Sequence, residues 1–319
     1  MIEVKGLTKK FGTLVAVNNI DFSIDTGQTL ALVGTSGCGK TTTLKMINRL
    51  IEPTSGEIYV HEENVMDISA TEMRRKIGYV IQDMGLFPHY TVEENIAVVP
   101  NLLKWDEQEV KERVYELMNK LGIEPEEYAA KFPDQLSGGQ QQRVGIARAL
   151  AANPPIILMD EPFGALDPVT RRKIRKEFKE LEELASKTTI LITHDIEEAF
   201  ELADLVLVLH EGESQQLGTP KELLFKPANE FVVKFLAEQR LQLEFEVVSL
   251  KDIFDEVKYM KPGQDVQYIH MEPREKILSA ITRMTKSRAS EVFASVQVNG
   301  EQKVFDLPAL MDAFYHITK

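Results

Sequence analysis

Residues 30–47 read LALVGTSGCGKTTTLKMI, an apolar run of strand length, a glycine-punctuated loop and a helical stretch. Gly34, Gly39, Lys40 and Thr41 fill the pattern G-x-x-x-x-G-K-[ST]. That order of elements requires a buried strand whose C-terminal end opens into a loop wound around an anion at a helix start. Ser36, Gly37 and Cys38 lie inside the loop and complete the cradle. Lys40 is placed to reach the β- and γ-phosphates of a nucleotide, and the Thr41 hydroxyl to join a Mg²⁺ shell.

A second segment supplies the acids that such a cradle needs. PIILMDEP, at 155–162, sends Asp160 to the C-terminal end of another buried strand, where Mg²⁺ takes a carboxylate. Glu161 follows it and is expected to polarise an attacking water as general base.

A third segment is unexpected in a chain that already has a phosphate cradle. DQLSGGQQQRVGIARAL, at 134–150, puts Ser137, Gly138 and Gly139 at the start of a helical pattern, which is again how backbone N–H groups make an anion pocket. Ser137 is also expected to cap its own helix, and the two roles do not compete.

GTSGCGKT, LSGGQ, LMDEP, GALD and THD, in this order, resemble the ATP-binding cassette (ABC) ATPases over about residues 1–237. The resemblance implies ATP and Mg²⁺ as cofactors and a head-to-tail dimer of two copies. In it, Ser137, Gly138, Gly139 and Gln140 of one copy serve the ATP held by the glycine loop of the other. Carried over one residue at a time, Phe11 would stack on adenine and Thr42 would touch the α-phosphate. Gln82 would touch Mg²⁺ and water and relay motion to a transporter. His194 would contact the γ-phosphate, and Asp167 would link the two active sites. The expected catalytic set is therefore Lys40, Gln82, Glu161 and His194, with Thr41, Gln82 and Asp160 at the metal. Cys38 is expected to be a small filler of a tight loop rather than a redox or metal cysteine.

The implied fold is α/β, a P-loop cassette with a RecA-like core and a helical subdomain at about 88–152, over residues 1–240. Short strand-like runs (IEVKGL, NIDFSI, TLALVG, GEIYV, IGYVIQ) and later strands alternating with helices predict a mainly parallel sheet covered on both faces. In DEQEVKERVYELMNKLGI, Val110, Val114, Leu117 and Leu121 recur at helical spacing. VTRRKIRKEFKELEELASK reads as a solvated helix carrying close opposite charges such as Lys173 and Glu177, and NEFVVKFLAEQR as the helix that ends the cassette. Residues 241–319 change in texture and resemble, over roughly 248–318, a βαββα regulatory module of the CBS type. Asp306 and Ala309 stand where nucleotide-binding versions carry Thr and Asp, so a dimerising role is as expected as ligand sensing. A small ferredoxin-like regulatory domain is the alternative.

VIQDMGLFPHYTVEENIAVVPNLLKW and FPDQLSGGQ…GALDP further resemble cassettes of quaternary-amine importers, which carry osmoprotectants such as glycine betaine, choline or carnitine. The implied partners are transmembrane permease subunits and, through them, a solute-binding protein. Met84, Leu86 and Phe87 would offer a groove to a permease helix or pack internally. Another solute, or a cytosolic non-transport role on nucleic acid, is the competing reading. The net charge of −13 weighs against nucleic acid, because a phosphate backbone demands a basic face. No apolar run approaches the roughly 20 residues of a membrane span, and no signal peptide is read at MIEVKGLTKKFG. A single cysteine fits a reducing compartment. The expected location is the cytoplasmic face of the membrane, as a peripheral subunit.

Overall fold

The computed structural model describes residues 1–82, 85–181, 184, 186–258, 260, 268–287 and 292–318. They divide into two compact units, Met1–Leu217 and Gly218–Lys319.

The first unit opens with β1 (Ile2–Phe11), β2 (Leu14–Ile24) and β3 (Thr29–Gly34), followed by α1 (Lys40–Ile47). Next come β4 (Ser55–Val60), β5 (Glu63–Asn64), α2 (Ala70–Arg75) and β6 (Ile77–Val80). A helical stretch follows: α3 (Val92–Leu102), α4 (Glu107–Lys120), α5 (Pro125–Tyr128) and α6 (Gly138–Leu150). β7 (Ile156–Asp160), α7 (Pro168–Lys179), β8 (Thr188–Ile192), α8 (Ile196–Leu202), β9 (Leu205–His210) and β10 (Glu213–Gly218) complete it.

Two sheets form rather than one. The larger has the order β10-β9-β3-β8-β7-β6, with β9, β3, β8, β7 and β6 parallel. The smaller has the order β2-β1-β4-β5 and is antiparallel. Three of the early strand-like runs thus leave the expected parallel sheet. Their burial explains it: β1 and β2 mix buried and exposed positions, whereas β7 and β8 are buried at every position. A strand with one wet face belongs in an antiparallel sheet, and a two-residue turn joins β1 to β2 between the paired Phe11 and Leu14.

The parallel sheet separates two apolar cores. Ile156, Leu158, Ile190 and Ile192 face the core shared with α1 and the antiparallel sheet. Ile157, Met159 and Leu191 face the core built on Val114, Leu117, Val144, Phe163, Ile174 and Phe178. The two-residue period of β7 therefore turns Asp160 to the same side as Ile156 and Leu158, toward α1. In α4, the spaced Val110, Val114 and Leu117 are all buried, as is Leu121 just past its end.

α7 is not the fully solvated helix its composition predicts. Ile174 and Phe178 are buried, and Arg175 is only 9% exposed. Glu177 pairs with Arg143 of α6 at 2.5 Å. Sequence spacing shows charges along a helix but not which of them an adjacent element covers.

The second unit holds α9 (Pro220–Phe225), α10 (Glu230–Leu236), α11 (Arg240–Val247), α12 (Leu250–Ile253), β11 (Tyr268–Met271), α13 (Ile277–Lys286), β12 (Phe293–Val298), β13 (Glu301–Phe305) and α14 (Leu307–Thr318). The division at 217/218 differs from the expected one near 240. The α9 carbonyl of Leu224 accepts from Arg240 of α11, and Phe225 packs on the core of the second unit, so α9 is held to this side of the boundary. β11, β12 and β13 form a sheet with β11 parallel and β13 antiparallel to β12, and the order from β11 to α14 is βαββα. Asp306 spends its carboxylate on the start of α14, accepting from the Ala309 N–H at 2.8 Å. Among the described residues, no helix is long and apolar enough to cross a membrane.

Candidate nucleotide site

Gly34 ends β3 at φ 144, and a Cβ there would overlap the Leu209 carbonyl oxygen of β9. Only glycine lets the chain leave the sheet at that point. Cys38 is 2% exposed, and its sulfur lies 2.9 Å from where that Cβ would stand. Its bulk closes the loop from inside, as expected of a filler. The loop then delivers the first turn of α1 with Gly39 as a cap that has no side chain, leaving the N–H groups of the turn free for an anion.

Lys40 is 7% exposed. Its ammonium donates to the carbonyls of Gly34 and Thr35, at 3.0 Å each, and lies 3.7 Å from the Cys38 sulfur. A buried cation held only by neutral groups is matched to an anion supplied from outside. Next to it in the first turn of α1, the Thr41 hydroxyl donates to Asp160 Oδ1 at 3.1 Å. Burial is the largest influence on Asp160 and raises its carboxyl above the ordinary range; the Thr41 hydrogen bond and Lys45 and Lys40 oppose this, while Glu161 adds to it. A hydroxyl and one desolvated carboxylate are hard oxygen donors of the kind Mg²⁺ takes together with phosphate oxygens. No cluster of three or more His, Cys, Asp or Glu, as a self-sufficient metal cage would need, occurs among the described residues.

Glu161 adopts φ 46, a left-handed conformation, and its N–H donates to the Ile192 carbonyl of β8 at 3.1 Å. Leaving strand geometry at this residue swings its carboxylate to the cleft instead of into the second core. One oxygen, Oε2, accepts from Gln82 Nε2 at 3.2 Å and stands 3.4 Å from His194 Nδ1. A left-handed non-glycine residue costs roughly 1–2 kcal/mol and persists only where its surroundings hold it.

The cleft has a volume of about 550 Å³. Ser36, Gly37, Cys38, Gly39, Lys40, Thr41 and Thr42 form one wall; Gln82, Glu161 and His194 form the other. Asp160 joins them through Thr41. Phe11 is not in the wall. It lies half exposed at the β1–β2 turn with the Lys9 ammonium 5.1 Å over its ring. Further along β2 the Ala16 carbonyl abuts Gly39, where a Cβ would come within 2.5 Å.

The second anion-type helix start is elsewhere. Ser137 caps α6: Gln140 N–H donates to its hydroxyl at 3.3 Å, and its own N–H donates to Gln140 Oε1 at 2.9 Å. Ser137, Gly138, Gly139 and Gln140 line no part of the cleft within this chain. Asp167 caps α7, accepting from the N–H groups of Val169 and Thr170. The Thr170 hydrogen bonds hold its carboxyl below the usual range. α6 and α7 meet where Gly139 faces Thr170 and Ile174.

Three residues that the sequence reading passed over hold these loops. Arg171, four residues into α7 from its cap, donates to the carbonyls of Phe163, Gly164 and Leu166, fixing the chain between Glu161 and Asp167. Asn95 is fully buried and bonds Phe87 through both N–H and carbonyl, as well as the carbonyls of Tyr90 and Thr91. Arg148 donates to the Gly85 carbonyl at 2.7 Å and lies 5.8 Å over the Phe87 ring. Only Asn95 carried a signal, as a polar residue among the apolar positions of α3; Arg148 and Arg171 sit in helices already rich in polar residues. Of the groove residues named beforehand, Leu86 packs on the core and Phe87 is 40% exposed in an apolar groove with Ile81 and Val99; Met84 lies outside the described residues.

Residues 17–164 match the family described as ABC transporter. The chain is similar to the glycine betaine/carnitine/choline transport ATP-binding protein OpuCA of Bacillus subtilis, 54% identical over 242 residues, or 76% of this chain and 63% of that protein. The chain thus spans under two thirds of that relative. It is 48% identical to the glycine betaine uptake system ATP-binding protein YehX of Escherichia coli, over 81% of this chain and 83% of that one. Among solved structures it resembles the dimeric, post-hydrolysis state of the ATP-binding cassette MJ0796 bound to ADP and Pi, with TM-score 0.62, 39% identity, and coverage of 69% of this chain and 98% of that one. With the glycine loop, the Asp160–Glu161 strand end and the separate Ser137 helix start in these positions, the chain belongs to the ABC transporter family, among its ATP-binding cassettes.

Proposed function

We propose that the chain is the ATP-hydrolysing subunit of a bacterial importer for quaternary-amine osmoprotectants such as glycine betaine, carnitine or choline. The observation that carries the hydrolytic part is the Glu161 carboxylate, held at the cleft between Gln82 and His194 and facing the glycine loop. In this reading the loop N–H groups and Lys40 bind the ATP phosphates, and Thr42 contacts the innermost of them. Glu161 accepts a proton from the attacking water, and His194 orients Glu161 and touches the terminal phosphate. Thr41, Asp160 and Gln82 would hold Mg²⁺, which when bound neutralises charge on the phosphate oxygens. Phe11 stacks on the base.

Two copies meet head to tail, each offering its Ser137–Gln140 segment to the other's ATP, with Asp167 at the crossing. The absence of that segment from the cleft of a single chain supports this reading, as does the dimeric solved relative. Closure on ATP would drive permease subunits served by a solute-binding protein, placing the chain at the cytoplasmic face of the membrane. The substrate class rests on the names of the similar transport proteins. The βαββα region is read as a CBS-like module that pairs between copies.

The test is co-purification with a candidate permease, reconstitution and uptake measured across glycine betaine, carnitine, choline and a sulfate control. ATP-dependent uptake of one quaternary amine supports the proposal. Uptake of sulfate alone would assign another solute, and no ATP hydrolysis in any assembly would remove the enzymatic reading.

A further inference from the structure

Glu161 leaves β7 in a left-handed conformation, and the turn that follows it shapes one side of its surroundings. That turn is closed on itself. Gly164 N–H donates to the Glu161 carbonyl at 3.1 Å, and Leu166 N–H to the Phe163 carbonyl at 3.3 Å. Gly164 also lies against the Glu161 side chain: a Cβ built on it would stand 3.5 Å from Glu161 Oε2 and 3.6 Å from its Cβ. A small shift of the turn is therefore felt directly by the carboxylate.

α7 holds this turn in two ways. The Phe163 ring is buried and meets the Phe178 ring edge-on, with centroids 5.6 Å apart. One turn into the helix, Arg171 spreads its guanidinium over three carbonyls. Its Nε donates to Phe163 at 3.1 Å, and its Nη2 to Gly164 at 3.3 Å and to Leu166 at 3.0 Å. The ring contact sets how near the turn lies to α7, while the planar fork sets which way its carbonyls point. A guanidinium that gives three bonds to neutral oxygens of one short stretch fixes a path of the chain rather than neutralising a charge. Arg172, the next residue, is a contrast, because its Nε donates within the helix, to the Pro168 carbonyl.

We propose that Arg171 is a positioning residue for the reaction: by gathering the carbonyls of Phe163, Gly164 and Leu166 it fixes the turn at 161–166 and so holds the Glu161 carboxylate at Gln82 and His194. Arg171 itself lines no part of the cleft. Its effect on turnover rests on the reading of Glu161 as general base, and its effect on where that carboxylate stands rests on geometry alone.

The experiment uses the full chain as wild type, Arg171→Met, Arg171→Lys and, as a control for the lost charge, Arg172→Met. Steady-state ATPase kinetics and the affinity for a fluorescent ATP analogue are measured well below the Tm of each variant. The imidazole signal of His194, identified by its loss in His194→Gln, is followed by NMR. Its Nδ1 stands 3.4 Å from Glu161 Oε2, so the signal reports where that oxygen is. Arg171→Met is expected to lower kcat about tenfold or more while analogue affinity stays within about twofold, and to move the His194 signal in the direction that Glu161→Gln moves it. Arg171→Lys keeps the charge, but its single nitrogen cannot span the carbonyls that Nε and Nη2 reach separately, so it is expected to lower kcat about threefold. Arg172→Met is expected to leave all three readings as in the wild type. An unmoved His194 signal in Arg171→Met, a kcat within about twofold of wild type in that folded variant, or a loss of kcat matched by an equal loss of affinity would overturn the proposal. Should Arg171→Met not fold, Arg171→Lys decides by the same readings. A wild type that hydrolyses no ATP would count against the general-base reading, while the His194 signal would still decide what Arg171 holds.

Discussion

Glu161 Oε2 stands 3.4 Å from His194 Nδ1, and the same oxygen accepts from Gln82 at 3.2 Å. Three loops, after β6, β7 and β8, thus converge on one carboxylate oxygen. The backbone of Glu161 pays for this with a left-handed conformation.

Replacing that carboxylate while keeping its shape separates binding from chemistry. Glu161→Gln is expected to bind ATP with an affinity close to wild type and to lose at least about a hundredfold in kcat. Because closure would no longer be undone by hydrolysis, it is expected to accumulate as an ATP-dependent dimer. Light scattering after gel filtration with ATP checks it; a monomer at all ATP concentrations contradicts it.

Two glycines of the phosphate loop should respond very differently to a methyl group. Gly34 meets the Leu209 carbonyl and Cys38, whereas Gly37, at φ 75, has open space where a Cβ would go. Gly34→Ala is expected to lose about 2–5 kcal/mol from strain and overlap, and Gly37→Ala only about 1 kcal/mol from its backbone conformation. Urea unfolding curves measure both. Equal losses would show that the strand end is not packed as described.

Glu198 also predicts a pH dependence of stability. Its carboxyl is raised from 4.5 to about 8 in the folded chain, so the folded state holds this proton over a window in which the unfolded state has released it. Stability from this group is therefore full below the lower value, falls as pH rises through the window, and is flat above it. The slope is at most about 1.4 kcal/mol per pH unit. Relative to Glu198→Gln, the wild type is expected to lose Tm steadily from about pH 6 to 8. Parallel Tm curves would mean that the group is not buried as an acid.

Much of the site was legible because its chemistry is written in contiguous residues. Ser36 to Thr42 form one wall of the cleft, and Asp160 ends a strand whose apolar run announced it. What the pattern could not supply was contact between distant segments. β1 and β2 read as members of the parallel sheet because a strand's partner is not encoded in its own period. α7 read as solvated because nothing local shows that Asp195 and Glu201 lie beside Arg175. Glu198 looked like one more acid in a short helix, and only the fold puts it inside. The boundary near 240 was drawn where composition changes, although packing changes earlier, where α9 joins the second core.

Each ATP is held, on this account, by the glycine loop of one copy and the Ser137 helix start of another. Lys40→Ala spoils the first in a chain, and Gly139→Asp spoils the second by driving a charged side chain against Thr170 and the α6 start. Each variant alone is expected to be inactive. Mixed and shown to associate, they form hybrid dimers with one intact composite pocket, and ATP turnover is expected to return. Hybrids that demonstrably form and still hydrolyse nothing would contradict the shared pocket.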